Sequence, residues 1–292
     1  MTPAVTPTPI PAPAPIRRGF VSIAEGQVHY REAGAGAPGL PLVMFHPSPT
    51  SSWILQPLMG RFGRSRRVVA PDTLGNGDSC PPAQPAPDIA DLADAHLRAL
   101  DALGISRFDA YGSHTGGNIA AEVAIRAPDR VRALILDGMA VYGAGEQADM
   151  LANYAPAITL DHTGSQLNWV WHFVRDNALF WPWYRRDAAH VRRVGLPPPG
   201  VLHDKVVEVL KAARTYHLSY RAALAYDKRA RLPLVDRPTL LTCAEDDMLL
   251  EYFEAVAALM PAARRRITPG TATPERAEAT AAAMLDFLAS PG

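Results

Sequence analysis

The sequence predicts an α/β fold in which a mostly parallel, doubly wound sheet is interrupted by one helical insertion. Between residues 41 and 138, short apolar runs of strand length alternate with segments of helical periodicity. The same alternation resumes at residue 233. Residues 139–232 lack strand-like runs and contain a dense group of aromatic side chains. We therefore predict an α/β core made of residues 19–138 and 233–292, with residues 139–232 as a helical cap.

The bulk composition fits this plan and excludes several classes of protein. The 292 residues suffice for one large α/β domain with an insertion, or for two smaller domains. Their formal net charge is zero, which gives no indication of a nucleic acid or an anionic membrane as partner. Two cysteines, Cys80 and Cys243, cannot form a disulfide framework, and no apolar run reaches membrane-spanning length. We expect a cytoplasmic protein without nucleic-acid or membrane partners, compatible with a homodimer.

The N-terminal segment, residues 1–18, is rich in proline and alanine. Its prolines recur at short intervals, at Pro3, Pro7, Pro9, Pro11, Pro13 and Pro15. The segment has neither a basic start nor a continuous apolar stretch, so it does not resemble a signal peptide. We expect an extended, disordered tail. After it, Val21–Ile23 and Val28–Tyr30 flank a Glu-Gly turn and predict a short hairpin, with His29 on its solvated face.

Further apolar segments have the length of buried strands, and other segments have helical periodicity. The predicted strands are Pro41–Phe45, Arg67–Ala70, Phe108–Tyr111, Val131–Leu136, Pro238–Cys243 and Arg264–Thr268. The predicted helices end near Met59 or span Ile89–Leu103, Asn118–Ala127 and Pro274–Leu288. Strands that alternate with helices in this way favour a parallel sheet with helices on both faces.

Residues 109–117 are the most informative stretch of the chain. They read Asp-Ala-Tyr-Gly-Ser-His-Thr-Gly-Gly, so an apolar strand runs into a Gly-x-x-x-Gly turn before a helix. That arrangement has the shape of a nucleophile elbow, Gly-x-Ser-x-Gly, whose central residue lies on a sharp, strained turn. Here the outer glycines are Gly112 and Gly116, and the central residue is His114. A histidine therefore occupies the position of the nucleophile.

Four motifs in the same order together identify a family. A His-Pro-Ser-Pro-Thr-Ser-Ser loop begins at His46, and a Pro-Asp-x-x-Gly-x-Gly-x-Ser loop begins at Pro71. The elbow follows, and a Glu-Asp-Asp loop ends at Asp247. With these motifs the chain resembles the α/β-hydrolase superfamily, in particular the capped branch of haloalkane dehalogenases and epoxide hydrolases. The resemblance implies the α/β-hydrolase fold, with a helical cap inserted after the strand that ends at Asp137.

The chain departs from the family's catalytic triad at two positions. The family's nucleophile is serine, aspartate or cysteine, whereas this chain has His114. The family's histidine follows the last strand, whereas this chain has no histidine beyond His217. The resemblance leaves Asp247 as the acid, with Asp137 as the alternative acid position. We predict a degenerate triad.

An imidazole at the elbow suggests general base chemistry. His114 reaches farther than a serine, and we expect it to pair with Asp247 or Asp137 and to accept a proton. The resemblance implies that the backbone N–H groups of Ser48 and Thr115 would stabilise an oxyanion. This predicts an enzyme acting on an ester, a lactone or a C–C bond next to a carbonyl.

Two alternatives stay open at this stage. The chain could be a non-catalytic, ligand-binding or regulatory member of the fold, because two of the three triad residues are missing. It could also be a hydrolase in which Ser113 or water attacks and a histidine of the cap serves as base. His172 is the better candidate for that base, since Trp169, Trp171 and Asp176 flank it.

The aromatic residues of the cap suggest an apolar pocket. We expect Trp169, Trp181 and Trp183 to form its roof and Trp53 to form a wall. His46 and Ser113 complete the predicted substrate contacts, although a hydrogen-bonding structural role suits a histidine at a strand end. The expected ligand is a small apolar or aromatic molecule. The chain also carries four cap arginines, Arg185, Arg186, Arg192 and Arg193, and a carboxylate-bearing substrate would require one of them to turn inward.

No cofactor is predicted. The nine histidines show no His-x-x-x-His spacing with a third ligand, so we expect no metal. The Gly75-Asn76-Gly77 turn lacks the spacing of a dinucleotide-binding loop, so we expect no nucleotide cofactor.

Overall fold

The computed structural model describes residues 10–291 and contains one eight-stranded sheet. The strands are β1 (Ile16–Ile23), β2 (Gly26–Ala33), β3 (Leu42–Phe45), β4 (Val68–Pro71), β5 (Phe108–Ser113), β6 (Val131–Asp137), β7 (Thr239–Ala244) and β8 (Arg264–Thr268). Their order across the sheet is β1-β2-β4-β3-β5-β6-β7-β8. The β1–β2 hairpin is antiparallel and pairs antiparallel to β4, while all other pairs are parallel. The predicted mostly parallel sheet is therefore confirmed.

Helices cover both faces of the sheet, and a further group lies between β6 and β7. They are α1 (Gln56–Phe62), α2 (Ile89–Ala102), α3 (Thr115–Arg126), α4 (Ala144–Asn153), α5 (Ser165–Leu179), α6 (Pro199–Lys211), α7 (Tyr216–Ala225), α8 (Lys228–Arg231), α9 (Phe253–Leu259) and α10 (Pro274–Ala289). None of the helices in the described part of the chain is long and apolar enough to cross a membrane.

The central strands are buried on both faces because each face has its own layer of helices. Every residue of β3 and β4 is buried, which matches their continuous apolar sequences. Phe45 and Phe108 pack with α2 and α3 in one core cluster. Met44 and Ile135 pack with α1 and α10 in the second cluster, on the opposite face. The alternating side-chain directions of a strand thus supply two cores from one sheet.

The helices α4 to α7 form a cap with an apolar core of its own. Phe173 and Trp183 lie edge to face at 5.0 Å between ring centroids, and Tyr216 packs beside Phe173 at 5.6 Å. The cap rests on the loops of the core. For example, the Ser219 hydroxyl on α7 donates a hydrogen bond of 2.9 Å to the Asn76 side chain.

The predicted boundary of the N-terminal tail is wrong at its end. Ile16, Arg17 and Arg18 belong to β1, because the β1–β2 hairpin continues the pairing as far as Ile16 and Ala33. Just before β1, the Ala14 N–H donates a hydrogen bond of 2.7 Å to the Gly60 carbonyl. The prediction for residues 1–9 lies outside the described residues.

Candidate active site

The turn between β5 and α3 has the strained backbone of a nucleophile elbow. His114 has φ 50° and ψ −112° and is the only non-glycine residue with positive φ among residues 10–291. Such a conformation costs on the order of 1–3 kcal/mol and persists only where the surroundings impose it. The turn presents the His114 side chain at the N-terminus of α3, where the nucleophile of the family stands.

The elbow glycines are required by packing. A Cβ atom at Gly116 would lie 2.1 Å from the Phe45 carbonyl oxygen, and one at Gly112 would lie 2.2 Å from the Gly116 carbonyl oxygen. Both contacts are with backbone atoms, which cannot move aside. Retention of these glycines therefore follows from the fold and does not distinguish an active site from an inactive one.

His114 pairs with Asp247, which lies in the loop after β7. The His114 Nε2 and Asp247 Oδ2 atoms are 2.8 Å apart. The Leu249 N–H donates to the other carboxylate oxygen at 2.8 Å and fixes its orientation. One ring edge faces Gly138, where an added Cβ would lie 2.6 Å from both Cδ2 and Nε2 of His114. The glycine at position 138 therefore makes room for the His114 ring.

The second ring nitrogen of His114 is free. Its Nδ1 atom makes no hydrogen bond to any residue in 10–291, and the side chain keeps 27% of its exposure. Burial tends to raise the pKa of Asp247, but the charge and the hydrogen bond of His114 outweigh it and hold the pKa below its ordinary value. An ionised Asp247 accepts a hydrogen bond from the Nε2–H group of His114. The neutral imidazole therefore carries its lone pair on Nδ1.

The environment makes His114 more basic than a free histidine. Burial lowers the pKa of His114. The charge of Asp247 and the hydrogen bond to Asp247 raise it, and the charge of Asp137 adds a smaller increase. The positive charge of Arg192 acts in the opposite direction. The net effect is a pKa above the ordinary value of 6.5.

Asp137, the alternative acid, is engaged elsewhere. Its Oδ2 accepts a hydrogen bond of 2.7 Å from the Tyr111 hydroxyl, and its Oδ1 accepts one of 2.9 Å from Thr242. Burial raises the pKa of Asp137, and the neighbouring Asp247 charge adds to this, against the lowering effect of both hydrogen bonds. Of the two acids named from the sequence, Asp247 is the one bonded to the His114 ring.

A cavity of about 1240 Å³ lies beside this pair and extends from the cap to residues of α1 and α10. Its lining from the core includes Ser48, Trp53, Ser113, His114, Thr115 and Asn118. Its lining from the cap includes Met150, Tyr154, Trp181 and Tyr220. Trp53 and Trp181 therefore line the predicted pocket, whose walls combine aromatic side chains with polar and charged ones.

Two backbone N–H groups beside the elbow are unpaired. Within residues 10–291, neither Ser48 nor Thr115 donates a backbone hydrogen bond. Thr115 is the first residue of α3, where a helix leaves its N–H groups without an internal partner. Both residues line the cavity.

The predicted substrate contact of His46 is wrong. Its side chain is fully buried, its Nε2 accepts a hydrogen bond of 2.8 Å from the Thr73 N–H, and its Nδ1 lies 3.0 Å from the Pro47 carbonyl oxygen. Burial lowers the pKa of His46. Both ring nitrogens hold the two loops that meet under the cavity, so His46 supports the site from behind its wall.

The predicted roof is wrong for two of the three tryptophans. Trp183 is 5% exposed and its indole N–H donates to the Tyr154 carbonyl at 2.9 Å, while Trp169 stacks on Phe173. Both pack in the apolar core of the cap, Trp169 from the inner face of α5 and Trp183 from the segment that follows α5.

The cap histidines do not reach the cavity. His172 is half-buried on α5 and is not among the cavity-lining residues, although its neighbour Phe173 is. No other histidine of residues 139–232 lines the cavity either. Ser113 lines the cavity, but its hydroxyl makes no hydrogen bond to an imidazole within the described chain. No base is therefore positioned for Ser113.

Several lining residues were not predicted. Asn118 lies one helical turn after His114, and its side-chain N–H₂ donates to the His114 carbonyl at 3.2 Å. The spacing of four residues could have indicated it, since positions i and i+4 share a helix face. The tyrosines Tyr142, Tyr154 and Tyr220 carried no comparable signal, because the path of the cap sets their position.

One group of side chains has donors at metal-binding spacing. His29, Asp72 and Asp78 place one ligand atom each within 4.8 Å of one another. The Arg18 guanidinium already donates to His29 at 3.0 Å and pairs with Asp78, which Lys211 also contacts at 3.2 Å. Two cationic side chains thus occupy the position a metal ion would need, and the group does not fit one.

Comparison with known proteins agrees with the fold. A model of the α/β hydrolase fold family matches residues 41–272. The chain therefore belongs to the α/β-hydrolase family, as the four sequence motifs imply.

Relatives in sequence are hydrolases, matched over part of their length. A 2-hydroxymuconate semialdehyde hydrolase from Pseudomonas sp. strain CF600 is 41% identical over 124 residues, which cover 40% of this chain and 42% of that protein. A haloalkane dehalogenase from Mycobacterium tuberculosis is 32% identical over 129 residues, 44% of each chain. The matched segments span less than half the length of these curated relatives.

Among solved structures, the chain is similar to an enol-lactonase from Burkholderia xenovorans LB400. The two share a TM-score of 0.69 and 20% sequence identity, with 93% of this chain and 100% of that chain covered. At this identity the similarity shows the common fold.

Proposed function

We propose that the protein is an enzyme that cleaves a small, largely apolar carbonyl compound, with His114 as general base. The compound would be an ester, a lactone or a substrate with a C–C bond next to a carbonyl. One of the relatives in sequence is a 2-hydroxymuconate semialdehyde hydrolase, whose name indicates a carbonyl substrate, and this supports the proposal. The observation that carries the proposal is a His114 ring bonded through Nε2 to Asp247 while Nδ1 is left free beside a cavity.

In ester hydrolysis, Nδ1 of His114 would take a proton from water while the water oxygen bonds to the carbonyl carbon. The negative charge that develops on the carbonyl oxygen would be stabilised by the N–H groups of Ser48 and Thr115. The imidazolium, stabilised by Asp247, would then return its proton to the leaving oxygen as the C–O bond breaks. Acid and alcohol leave, and His114 is neutral again.

For cleavage of a C–C bond next to a carbonyl, the same groups would act on a β-hydroxy ketone. The His114 imidazole would take the hydroxyl proton, and the C–C bond would break as that hydroxyl carbon becomes a carbonyl. The two N–H groups would hold the oxygen of the enolate that forms, and the imidazolium would return its proton to the enolate carbon. The raised pKa of His114 supports this use, because a stronger base takes such protons more readily.

The non-catalytic alternative makes a different use of the same cavity. In that case ligands would bind in front of His114 and remain unchanged. The strained backbone of His114 and its free Nδ1 favour the enzyme, since a ring that only fills space needs neither. The remaining alternative, a cap histidine as base, is disfavoured because no cap histidine lines the cavity.

The test is turnover of a panel of small esters, lactones and diketones by the purified protein and its variants. We expect His114→Ala and His114→Ser to lower kcat by about 10²–10⁴-fold, which is the usual contribution of a positioned base. His172→Ala serves as the matched control, because it removes a cap histidine that does not line the cavity.

Each outcome has a distinct meaning. Unchanged turnover in both His114 variants would remove His114 from the mechanism. A loss confined to His172→Ala would favour the cap base. If wild type stabilises with a ligand in a thermal-shift assay but leaves it intact, the protein is a binder.

A further inference from the structure

The cavity beside His114 has a second arm, which leads away from the cap and lies between α1 and α10. Part of its wall comes from α1 and from the residues just before it, and part comes from α10 and from the start of β1. We call this part of the cavity the α1–α10 arm, and its lining includes Ile16, Ile54, Leu55, Leu58 and Thr280. Because His114 lines the same cavity, a molecule in the arm can extend to the elbow.

The loop after β8 leaves this arm open because its side chains are small. Gly270, Thr271 and Ala272 all line the cavity. This is the loop in which the family carries its histidine, and the chain has no histidine after His217. A glycine, a threonine and an alanine therefore stand where a large ring would otherwise narrow the passage between the elbow and α10.

The arm follows the face of the sheet that α1 and α10 cover. Leu55 and Leu58 are buried in the apolar cluster on that face, which also contains Tyr111 of β5. Ser113 lies two residues after Tyr111 on the same strand, so both side chains point to this face. All four residues line the cavity. The arm therefore begins at the elbow and enters the second core cluster, on the side of the sheet opposite α3.

Hydrogen bonds and an ion pair hold the walls of the arm in place. The guanidinium of Arg61, which also lines the cavity, donates to the Pro57 carbonyl at 2.6 Å. It donates to the carbonyl of Pro274, the first residue of α10, at 2.8 Å. It also pairs with Glu278 on α10 at 3.1 Å. These contacts tie α1 to α10, so the space between the two helices is preformed and the Arg61 charge is already compensated.

The chemistry and the width of the arm suit an aliphatic chain. The isoleucines and leucines of its wall are aliphatic, whereas the cap wall carries aromatic rings, among them Tyr154, Trp181 and Tyr220. The axes of packed helices lie about 8–10 Å apart, so a space between two helices admits a chain more easily than a ring. Each methylene group that leaves water for such a wall stabilises the bound state. Because Arg61 is already paired with Glu278, it does not favour an anionic group here.

We propose that the α1–α10 arm is a binding site for an unbranched aliphatic chain attached to the carbonyl group that reacts at His114. The chemical identity of the substrate that follows rests on the proposed function. The substrate is an ester or ketone that carries a straight alkyl chain on one side of its carbonyl group and an apolar or aromatic group on the other. The chain lies between α1 and α10, and the second group lies under the cap, beside the aromatic side chains.

The test measures binding of three phenyl ketones, acetophenone, butyrophenone and hexanophenone, by titration calorimetry. These ketones share one ring and differ only in the length of the alkyl chain. In wild type we expect the dissociation constant to fall about threefold for each added methylene group, because each one is buried from water. Ala272→Trp should fill the arm and abolish this increment, and so should Thr271→Trp. Both positions line the cavity and are exposed, so the fold tolerates the larger side chain.

Two matched variants show where the chain binds. Ala178→Trp narrows the cap wall of the same cavity, so it should weaken binding of all three ketones without changing the increment per methylene group. Ala279 is exposed on α10 and does not line the cavity, so Ala279→Trp should change neither the affinities nor the increment.

Equal dissociation constants for the three ketones in wild type would overturn the proposal, as would an increment that survives in both Ala272→Trp and Thr271→Trp. An increment lost only in Ala178→Trp would place the chain under the cap and would also overturn it. The measurement needs no turnover and can be repeated in His114→Ala. Binding that depends on chain length, without turnover of any compound in the panel, would refute the proposed function and leave the arm standing. Turnover without this dependence would refute only the arm.

Discussion

Among the histidine–aspartate pairs of residues 10–291, the His29–Asp72 and His114–Asp247 pairs have the same length and opposite surroundings. His29 Nδ1 lies 2.8 Å from Asp72 Oδ2, and His114 Nε2 lies 2.8 Å from Asp247 Oδ2. The first pair is completely buried, whereas the His114 and Asp247 side chains keep 27% and 18% of their exposure. The chemistry of the bond is the same, so the difference in role must come from what surrounds it.

The decisive difference is the second ring nitrogen. In His29 it accepts a hydrogen bond of 3.0 Å from Arg18, so the ring has no lone pair to offer. Burial alone would raise the pKa of Asp72, but the hydrogen bond from His29 and other partners lower it to about 2. In His114 the second nitrogen makes no hydrogen bond within residues 10–291, and the residue lines a cavity. A histidine–aspartate pair becomes a candidate catalyst only when one nitrogen stays unsatisfied.

Replacing each histidine by leucine should separate the two roles most strongly. His29→Leu leaves the Asp72 carboxylate buried without its partner, and we expect a loss of about 3–5 kcal/mol in the free energy of unfolding. His114→Leu exposes Asp247 to the cavity and should cost about 1 kcal/mol or less. Urea denaturation measures both values. An equal loss in the two variants would contradict the distinction.

Asp247→Asn should cause a large loss of activity. An asparagine no longer stabilises the imidazolium or selects the Nε2–H tautomer, so we expect kcat to fall about 100-fold or more. In wild type, kcat/KM should rise with pH through an apparent pKa above 6.5, because the base works only when neutral. The variant should show this rise at lower pH, since the group that raises the His114 pKa is gone. An unshifted profile would mean that another residue is the base.

Gly138→Ala should disturb the same pair without touching either member. An added Cβ would collide with the His114 ring, and the positive φ of 63° adds backbone strain. We expect a loss of about tenfold in kcat, in line with a base displaced from its position. Gly145→Ala on α4 is the control, because a Cβ there meets no atom within 4 Å. Equal activity of the two variants would show that the ring has room to move.

The smallest expected effect is a pH-dependent difference in stability. Because its pKa is raised in the folded state, His114 stabilises the fold. This stabilisation is fully present below pH 6.5 and is lost as the pH rises through the folded-state pKa. The lowered pKa of Asp247 stabilises the fold above pH 3.8 and is lost as pH falls through its folded-state pKa. The Tm difference between wild type and Asp247→Asn should therefore be roughly 2–4 °C larger at pH 5.5 than at pH 9. A constant difference would show that the pair is not coupled to folding.

The fold was predictable because its signal is local. Buried parallel strands such as Leu42–Phe45 read as unbroken apolar runs, and the elbow fixes a strand, a turn and a helix within a few residues. The sequence leaves the partner of His114 open between Asp247 and Asp137, because it does not give the distances from the elbow to the loops that follow β6 and β7. The structure pairs His114 with Asp247.

Long-range packing set the features that the sequence did not reveal. His29 was expected on a solvated face, yet β4 delivers Asp72 against it. Trp183 was expected over the pocket, yet its N–H finds the Tyr154 carbonyl in the cap core. Arg192 belongs to a run of arginines whose sequence looks uniformly solvated, and only the path of the cap turns it inward. The partners of His29 and Trp183 lie 43 and 29 residues away along the chain.

The state of the His114 ring itself tests the account most directly. Nitrogen-15 NMR of the imidazole across a pH titration reports both the tautomer and the pKa. We predict a neutral form protonated on Nε2 with a lone pair on Nδ1, and a pKa above 6.5 that falls in Asp247→Asn. A ring protonated on Nδ1, or one that titrates below 6.5 and ignores the Asp247 substitution, would contradict the account.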